Sequence, residues 1–395
     1  MRKIDLTNFT VATSETARHI NRRIALNLIR RHQPLSRAQL ARQSGLQRST
    51  VSAIIGQLID EGWVTEGASP LSGRGRRPRS LHLNVERAGI LAVDVRPGMT
   101  RMALAGLDAR FVMQTMWPTP AVPEAFAEEV ARTAEAFRGV HGEIVYEGMG
   151  VSVPGRTDVS GRLVFAPNLR WPPADIRRLL EAAMGLPVSV ENAANACALA
   201  ELWFGRHGDD VKHLVAVTVS EGIGVGMLLN GQLFHGYDAM AGEFGHVTLD
   251  EQGPPCPCGK RGCWERYASN TAAVDYYRHL AGGSAGGASP DIADVLRLAE
   301  AGDPRAAETV DRMAYYLGVG IAPLVNGLAP QVLVIVGEVT TAWHRVGPIV
   351  ERVVKERSLP VMKTRIVPTD PATQPRLRGA VTLVVQQHFG APAVA

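Results

Sequence analysis

The sequence lacks any long hydrophobic run and contains only four cysteines among its 395 residues. The longest apolar stretches, such as residues 332–336, have the length of a strand and fall far short of the ~20 residues that a membrane-spanning helix needs. The first ten residues, MRKIDLTNFT, lack the apolar core of a secretory signal peptide. We therefore expect no membrane span and, because cysteine is scarce and clustered, a location in the reducing cytoplasm.

The charge is distributed unevenly along a chain whose composition is otherwise ordinary. Hydrophobic residues make up 46% and charged residues 20%, and the length allows two or three domains. Residues 1–84 hold 14 Lys and Arg against 5 Asp and Glu, a net charge of +9, while the whole chain carries +4 and the remainder therefore −5. A basic head on an acidic body suggests a polyanionic partner, although a solvated basic surface would have the same composition.

The basic head has the spacing of a helix-turn-helix. Hydrophobic periodicity predicts three helices, over residues 21–32, 37–44 and about 47–61. Pro34 separates the first two, and Ser36 with Gln39 has the spacing of a capping box at the start of the second. Gly45 ends that second helix in a tight turn. This order of helices and turn is typical of a DNA-binding head.

The start of the third helix carries side chains that suit the recognition of DNA bases. Short or bidentate hydrogen-bonding groups are expected to face outward at Gln47, Arg48, Ser49, Thr50 and Ser52. Strand patterns at residues 63–65 and 81–83 flank a segment that contains Arg74, Arg76, Arg77 and Arg79. Such a hairpin is a wing, whose arginines contact phosphates or enter a minor groove. Helix-turn-helix patterns also occur in domains that bind no DNA, but the wing and the charge favour double-stranded DNA.

Three of the four cysteines lie close together, with a histidine nearby. Their spacing is Cys-x-Cys-x4-Cys, ten residues after the histidine, and the set is His246, Cys256, Cys258 and Cys263. Three thiolates and one imidazole complete the tetrahedral shell of a structural Zn²⁺ site. The alternatives are incidental cysteines or a disulfide, although Cys-x-Cys is too tight for easy bridging. The remaining cysteine, Cys197, lies in a helical pattern and is expected to be a small buried residue.

Two carboxylates flank the predicted metal loop. Glu243 lies three residues before His246, and Glu265 lies two residues after Cys263. A loop folded around a metal would bring the two carboxylates close together. Paired carboxylates accept hydrogen bonds from the hydroxyls of a sugar, so the loop predicts a polyhydroxylated ligand. The alternative is that both are ordinary surface carboxylates.

The body that follows the head has the pattern of an α/β protein. Strand-like runs alternate with helical stretches, and the runs are residues 90–93, 144–153, 188–190, 214–219 and 333–336. Two copies of a sheet-and-helix unit are predicted, over about residues 89–200 and 201–395.

Several motifs resemble the ROK family, which contains bacterial sugar kinases and sugar-responsive repressors. GEFGH followed by CPCGKRGCWE is the most specific, and GVSVPGRTD, APNLRW and VENAANACALAE also match. The resemblance covers nearly the whole chain, and the winged head is similar to the repressor branch, because family kinases usually lack it. It implies an α/β fold with a winged helix-turn-helix over residues 1–84. A two-lobed, actin-like sugar-kinase (ribonuclease H-like) body follows, with lobes over residues 85–200 and 201–395 and a C-terminal segment that returns to the first lobe.

The resemblance also implies a sugar site in the cleft between the lobes. The residues that match the family's ligands are Asn168, Asn192, Glu243, His246 and Glu265. The histidine would serve twice, with one ring nitrogen on zinc and the other near a sugar hydroxyl. The alternative for the two asparagines is a role in a turn or a helix cap.

The residues that kinase chemistry needs are altered. Family kinases read Glu-Asn-Asp-Ala-Asn, in which the aspartate is the general base, and this chain has Ala193 at that position. Arg96 and Pro97 replace the glycines of a phosphate-binding hairpin, and Glu221 places a negative charge in a second phosphate loop. The glycines on the adenosine side are reduced to Gly337, which Glu338 follows. These departures predict a body that is not an enzyme.

We therefore expect a cytoplasmic, sugar-responsive transcription regulator that represses carbohydrate-utilisation genes. It would bind a palindromic operator as a homodimer or homotetramer, and the sugar would act through lobe closure. One alternative is an ATP-dependent sugar kinase with a regulatory DNA-binding head, which ATP turnover would identify. Another is a metal or redox sensor, which chelator-sensitive DNA binding without a sugar response would identify.

Overall fold

The computed structural model of this chain describes most of its residues, namely 13–68, 79–84, 88–142, 144–158, 160–208, 210–282, 290–361 and 363–390. The predicted wing arginines Arg74, Arg76 and Arg77 lie outside the described residues. Within these ranges no helix is long and apolar enough to cross a membrane.

The basic head folds as the three predicted helices and a small sheet. Its elements are α1 Ser14–His32, β1 Leu35–Ser36, α2 Arg37–Ser44, α3 Arg48–Asp60, β2 Val64–Ala68 and β3 Arg79–Leu83. The capping box of Ser36 and Gln39 is confirmed, and Gly45 ends α2 with a φ of 71°. The first helix begins before the predicted residue 21, because Thr13 caps it together with Thr16. The unpredicted β1 pairs antiparallel with β3 and is too short to show a periodic pattern.

The predicted apolar stripe of α3 forms the core of the head. Val51, Ile55 and Leu58 are fully buried and pack with Leu26 and Ile29 of α1. The stripe lies on one side of α3, so the opposite side of that helix stays open to solvent.

The first sheet of the body is mixed. Its lobe is built from β4 Ala88–Asp94, β5 Met99–Ala105, β6 Phe111–Pro118, α4 Pro123–Val140, β7 Val145–Val153, β8 Arg156–Thr157, β9 Leu163–Phe165, α5 Ile176–Met184, β10 Val188–Asn192 and α6 Ala193–Phe204. The strand order is β10-β7-β4-β5-β6. Strands β10, β7 and β4 run parallel, and β5 and β6 continue the sheet antiparallel.

The second sheet has the order β13-β12-β11-β14-β15. Its lobe contains β11 Leu214–Val219, β12 Ile223–Leu229, β13 Gln232–Leu233, α7 Glu265–Ala268, α8 Asn270–Leu280, α9 Ile292–Glu300, α10 Pro304–Leu328, β14 Val332–Gly337, α11 Trp343–Arg357 and β15 Arg365–Pro368, and the chain closes with α12 Pro375–Phe389. Strands β11, β14 and β15 run parallel, whereas β12 pairs antiparallel with β11. All five strand runs predicted for the body are confirmed.

Alternate residues of β4 show how the first sheet is covered on both faces. Leu91 and Val93 pack with Phe126 of α4, whereas Ile90 and Ala92 pack on the other face against α12. Successive strand side chains point to opposite faces, so a strand covered on both sides is apolar throughout. The last helix of the chain therefore lies on the first sheet, although it follows the second sheet in sequence.

The head packs on the body through α1. Arg23 donates from Nη1 to the Gly390 carbonyl at 2.8 Å, and Asn27 donates to the Phe389 carbonyl at 2.5 Å. Trp63 packs against His388, with ring centroids 4.7 Å apart. Helix α6 reaches the head too, since the Arg30 guanidinium lies 4.7 Å from the Trp203 ring. Helices α6 and α12 therefore connect the body to the head.

Candidate functional site

The predicted metal ligands lie together in the loop between β13 and α7. Their four ligand atoms, from His246, Cys256, Cys258 and Cys263, all lie within 4.8 Å of one another. The Cys256 Sγ is 3.7 Å from the His246 Nδ1, and the Cys258 Sγ is 3.6 Å from the Cys263 Sγ. A tetrahedral Zn²⁺ with ~2.3 Å bonds to sulfur separates its ligand atoms by about 3.8 Å. The spacing and the donor set fit a tetrahedral cation.

Local backbone structure and one buried ring hold this loop in place. The Cys256 amide donates to the Lys260 carbonyl at 2.8 Å, across a turn that contains Gly259 at a φ of 90°. Trp264, which is 1% exposed, donates from Nε1 to the Tyr316 carbonyl of α10 at 2.9 Å. The loop is thus attached to a long helix of the second lobe.

All four cysteines of the chain, three of which belong to the cluster, are free of disulfides. Burial raises the pKa of the Cys256 and Cys263 thiols above the usual range. A divalent cation favours thiolates and would therefore lower the pKa of these thiols. The remaining cysteine, Cys197, is fully buried as predicted, and burial raises its pKa to about 12.

Two carboxylates flank the cluster histidine, as the spacing predicts. The Glu265 Oε1 lies 3.5 Å from the His246 Nδ1 and 3.1 Å from the Cys256 Sγ. The Glu243 Oε2 lies 3.9 Å from the His246 Nε2. The imidazole therefore has the thiol cluster on one nitrogen and Glu243 beside the other.

A cavity of about 390 Å³ opens between the two lobes, and we call it the interlobe cavity. All five residues predicted to bind sugar line it, namely Asn168, Asn192, Glu243, His246 and Glu265. The two asparagines come from the first lobe and the other three from the second. Its volume falls in the ~300–1,000 Å³ range of small-molecule sites.

Asn192 has a structural role in addition to its place in the cavity wall. Its Oδ1 accepts from the Ala194 amide at 2.8 Å and so caps α6, while its Nδ2 donates to the Gly155 carbonyl at 2.6 Å. Asn192 therefore has the role in a helix cap that was considered as the alternative to sugar binding. Asn168 is exposed in a turn between β9 and α5. Sugar contacts by either residue stay predictions.

Sequence reasoning missed an acidic residue of the cavity wall. Glu191 lines the interlobe cavity, and its Oε2 lies 2.8 Å from the His235 Nε2. Its Oε1 accepts from the Asn195 Nδ2 at 3.0 Å. The hydrogen bond to Glu191 raises the pKa of His235. The signal was present, since this glutamate begins the Glu-Asn-x-x-Asn motif.

Ala193, which was predicted to stand at the position of the kinase general base, lies in the cavity wall. Ala193 begins α6 and is 7% exposed. Its methyl group has no proton acceptor to offer a sugar hydroxyl.

A smaller cavity of about 190 Å³ is lined by residues of the three segments that were predicted to be altered phosphate and adenosine loops, including Arg96, Ser220 and Gly337. A charge network borders it, in which the Arg96 Nε is 3.0 Å from the Asp94 Oδ2 and its Nη1 is 3.1 Å from the Glu338 Oε1. The Arg376 Nε lies 2.8 Å from the Asp94 Oδ1. Burial opposes ionisation of Glu338, but its own backbone amide and Arg96 outweigh burial and lower its pKa. Side chains from both lobes thus occupy this region.

The glycines of the second phosphate loop have a packing role. Residues 220–226 form the β11–β12 hairpin. A Cβ at Gly226 would lie 2.2 Å from the Ala194 carbonyl oxygen, so only glycine lets α6 approach β12 this closely. This agrees with the prediction of a structural hairpin rather than a nucleotide cradle.

The candidate DNA-binding face is the solvent side of α3. Gln47, Arg48, Ser49 and Ser52 are exposed there and Thr50 is half-buried. Gln47 occupies the N-cap without a side-chain capping bond. The predicted base-reading residues therefore lie together at the open start of the helix.

The fold and the site together define a winged-helix head joined to a two-lobed, sugar-kinase-like body. The chain belongs to the ROK family, whose model matches residues 90–387, and residues 21–75 match the MarR family. The "Xylose repressor" of Bacillus subtilis (strain 168) is 30% identical over 328 residues, which cover 82% of this chain and 84% of that protein.

Two solved structures resemble different extents of the chain. A ROK family transcriptional regulator, described as a homolog of E. coli MLC protein, superposes with a TM-score of 0.81 at 25% identity, over 95% of this chain and 98% of that one. A ROK family glucokinase from Streptomyces griseus, solved with glucose and AMPPNP, has a TM-score of 0.66 at 26% identity, over 75% of this chain and 98% of that one. The regulator thus matches a larger share of this chain than the kinase.

Proposed function

We propose that this protein is a sugar-responsive transcriptional repressor whose body has lost kinase chemistry. The observation that carries the proposal is Ala193 in the cavity wall of a chain that also presents an open recognition helix. The methyl group replaces the general base, while five polar residues suited to sugar still line the cavity. Similarity to a xylose repressor and to a ROK transcriptional regulator supports the same conclusion.

The DNA-binding surface is the exposed start of α3, at Gln47, Arg48, Ser49, Thr50 and Ser52. Side chains at this end of a recognition helix read base edges in the major groove. Arg74, Arg76 and Arg77 would add phosphate or minor-groove contacts from the wing. We propose a homodimer or homotetramer on a palindromic operator, because two-fold proteins bind two-fold sites.

The sugar lies in the interlobe cavity, bound by Asn168, Asn192, Glu243, His246 and Glu265. The carboxylates accept hydrogen bonds from hydroxyls, and the asparagines can donate. His246 has Nδ1 beside Cys256 and Nε2 on the opposite side of the ring, which leaves Nε2 for a hydroxyl. Each lobe supplies ligands, so a bound sugar favours one spacing of the lobes over another.

Zinc would be held by His246, Cys256, Cys258 and Cys263, and its role is structural because four protein ligands complete a tetrahedral shell. The metal would fix the loop that carries Glu243 and Glu265. Removal of the zinc by a chelator is then expected to weaken sugar binding but to leave the DNA-binding face unchanged.

Two helices connect the cavity to the head. Asn192 caps α6 at the cavity, and Arg30 of α1 donates to the Trp203 carbonyl near the other end of α6 at 3.2 Å. Helix α12 places Arg376 at the cavity and Phe389 against α1. A change in lobe spacing would therefore move the surface on which α1 rests. We propose a division into residues 1–84, 85–200 and 201–395, with α12 assigned to the first lobe.

Fluorescence anisotropy on DNA from upstream of the protein's own gene tests this proposal. The wild-type protein should bind, and one of a panel of monosaccharides and phosphosugars should change its affinity. Arg48→Ala should weaken binding roughly tenfold or more, since a bidentate base contact contributes ~1–3 kcal/mol. Arg352→Ala, which removes the same charge from the exposed face of α11, is the matched control and should bind normally.

The variant Glu243→Gln is expected to separate DNA binding from the response to sugar. This variant should bind DNA as the wild type does but should lose the sugar response. DNA binding that no sugar alters would refute the sensor, and phosphorylation of a sugar by ATP would support the kinase alternative instead.

A further inference from the structure

The mouth of the interlobe cavity has features that one sugar ring does not use. We propose that it is an outer subsite for a second sugar ring, so that the effector is a disaccharide. This inference rests on the proposed sugar-sensing function and names the class of sugar. The residues that form the subsite are Arg156, Phe165 and Met240.

Two short segments, one from each lobe, face each other at this mouth. The hairpin β8–β9 pairs Arg156 with Phe165 in register, so both side chains belong to one flap. The opposite segment follows β13 and contains Asp238 and Met240. The Arg156 Nη2 donates to both the carbonyl and the Oδ2 of Asp238, each at 2.9 Å. These contacts join the two flaps across the cavity opening.

The apolar side chains at the mouth are unusually open to solvent. Phe165 is 51% exposed and Met240 is 49% exposed, and both line the cavity. Within the predicted sugar set, the side chain of Glu265 is 16% exposed and that of Glu243 is 49% exposed. An aromatic ring packs well on the C–H face of a pyranose, and its π-face attracts polarised C–H groups. An apolar surface that could hold a second ring thus lies in the wall of the same cavity as the polar set.

Arg156 places a charged side chain at the same place. Its Nε is buried beneath the cavity surface, so a ligand does not reach that atom. The Nη2 hydrogen bonds to Asp238 hold the guanidinium between the two segments. Because Arg156 lines the cavity and pairs with Phe165 across the β8–β9 hairpin, these hydrogen bonds fix the position of the hairpin that carries the aromatic ring.

The backbone of the second-lobe flap is strained where it crosses the mouth. Asp238 and Ala239 both have a φ of 53°, a left-handed conformation that residues with a Cβ adopt rarely. Such residues cluster at ligand clamps, where the surrounding contacts enforce them. The Asp238 contact with Arg156 is one such contact, so the flap is held in a defined position beside Phe165.

Calorimetric titration with paired sugars tests the subsite. The probes are glucose, xylose and N-acetylglucosamine, each beside its α- and β-linked homodisaccharides. One disaccharide should bind the wild-type protein at least tenfold more tightly than its own monosaccharide. Phe165→Ala should abolish that difference while monosaccharide affinity changes less than twofold. Arg156→Lys keeps the charge near Asp238 but loses the planar guanidinium that donates to two Asp238 acceptors, so it should loosen the two flaps and reduce the same difference.

Tyr237→Ala is the matched control, because Tyr237 is 94% exposed on the same flap and is not part of the cavity lining. It should leave both affinities unchanged. Monosaccharides that bind as tightly as every disaccharide, or a disaccharide preference that survives Phe165→Ala, would overturn the subsite alone. Binding of no sugar at all would overturn the sugar-sensing function and the subsite with it.

Discussion

Removal of the Asp94 carboxylate should destabilise the body strongly, because this group neutralises two arginines at the junction of the lobes. Its side chain is 2% exposed, and that of Arg376 is 7% exposed. Asp94→Ala leaves the Arg376 guanidinium buried, with the Val95 carbonyl at 2.9 Å as the one hydrogen-bond acceptor left to it in the described part of the chain. Loss of one partner from a buried ion pair costs ~3–5 kcal/mol, so we expect a decrease of that size in the free energy of unfolding.

Replacement of the partner residue, Arg376, should lower the free energy of unfolding by less. Arg376→Met keeps the apolar stem of the side chain and leaves Asp94 paired with Arg96. One carboxylate oxygen then lacks a partner, which costs ~1–3 kcal/mol. The double variant, Asp94→Ala with Arg376→Met, has no unpaired buried charge from this pair. Its loss of unfolding free energy should therefore be smaller than the sum of the two single losses by more than ~1 kcal/mol.

Urea unfolding followed by the fluorescence of the six tryptophans measures these differences. Transitions of head and body must be separated, because a multidomain chain need not unfold in one step. Arg352→Met on α11 is the control, since its pair with Glu356 is more than half exposed and should contribute under ~0.5 kcal/mol. Losses that add within ~0.5 kcal/mol in the double variant would refute the coupling of Asp94 and Arg376.

Three further predictions concern the metal loop and the lost chemistry. Cys258→Ser should abolish zinc in the purified protein by elemental analysis, whereas Cys197→Ala should retain it; full zinc in the former would refute the site. Ala193→Asp should form no sugar phosphate from ATP by mass spectrometry, because side chains occupy the phosphate region; detectable product would contradict this. Gly320→Ala should lower stability by ~1–3 kcal/mol, since its Cβ would lie 2.0 Å from the Trp264 ring. Gly327→Ala, with nothing within 4 Å, should not destabilise α10.

Local sequence signals predicted the head and the metal loop well. The Ser36 capping box and the turn at Gly45 involve neighbours within a few residues, so their geometry follows from the residues themselves. The metal set spans only residues 246–263, and its spacing constrains how the loop can fold. The predicted base-reading residues lie together at the start of α3 because they are neighbours in sequence, and helical periodicity directs Arg48, Ser49 and Ser52 away from the buried stripe.

Contacts between distant segments were not predictable in this way. The Arg96 contact with Glu338 joins residues that follow strands of different sheets, and the family resemblance indicated only that glycines were missing near Arg96. The contact of Arg156 with Asp238 and the pairing of Glu191 with His235 likewise depend on how the lobes are placed.

The sequence by itself determined the elements, the order of head and body, and the residue types available for a metal, a sugar and DNA. Periodicity, capping and ligand spacing are local properties, and they carry that information without a fold. Only the tertiary structure decided that the two asparagines and the two glutamates line one cavity, that Arg96 and Arg376 both pair with Asp94, and that α6 and α12 connect the cavity to the head. These arrangements arise from packing between residues far apart in the chain, which no local pattern records.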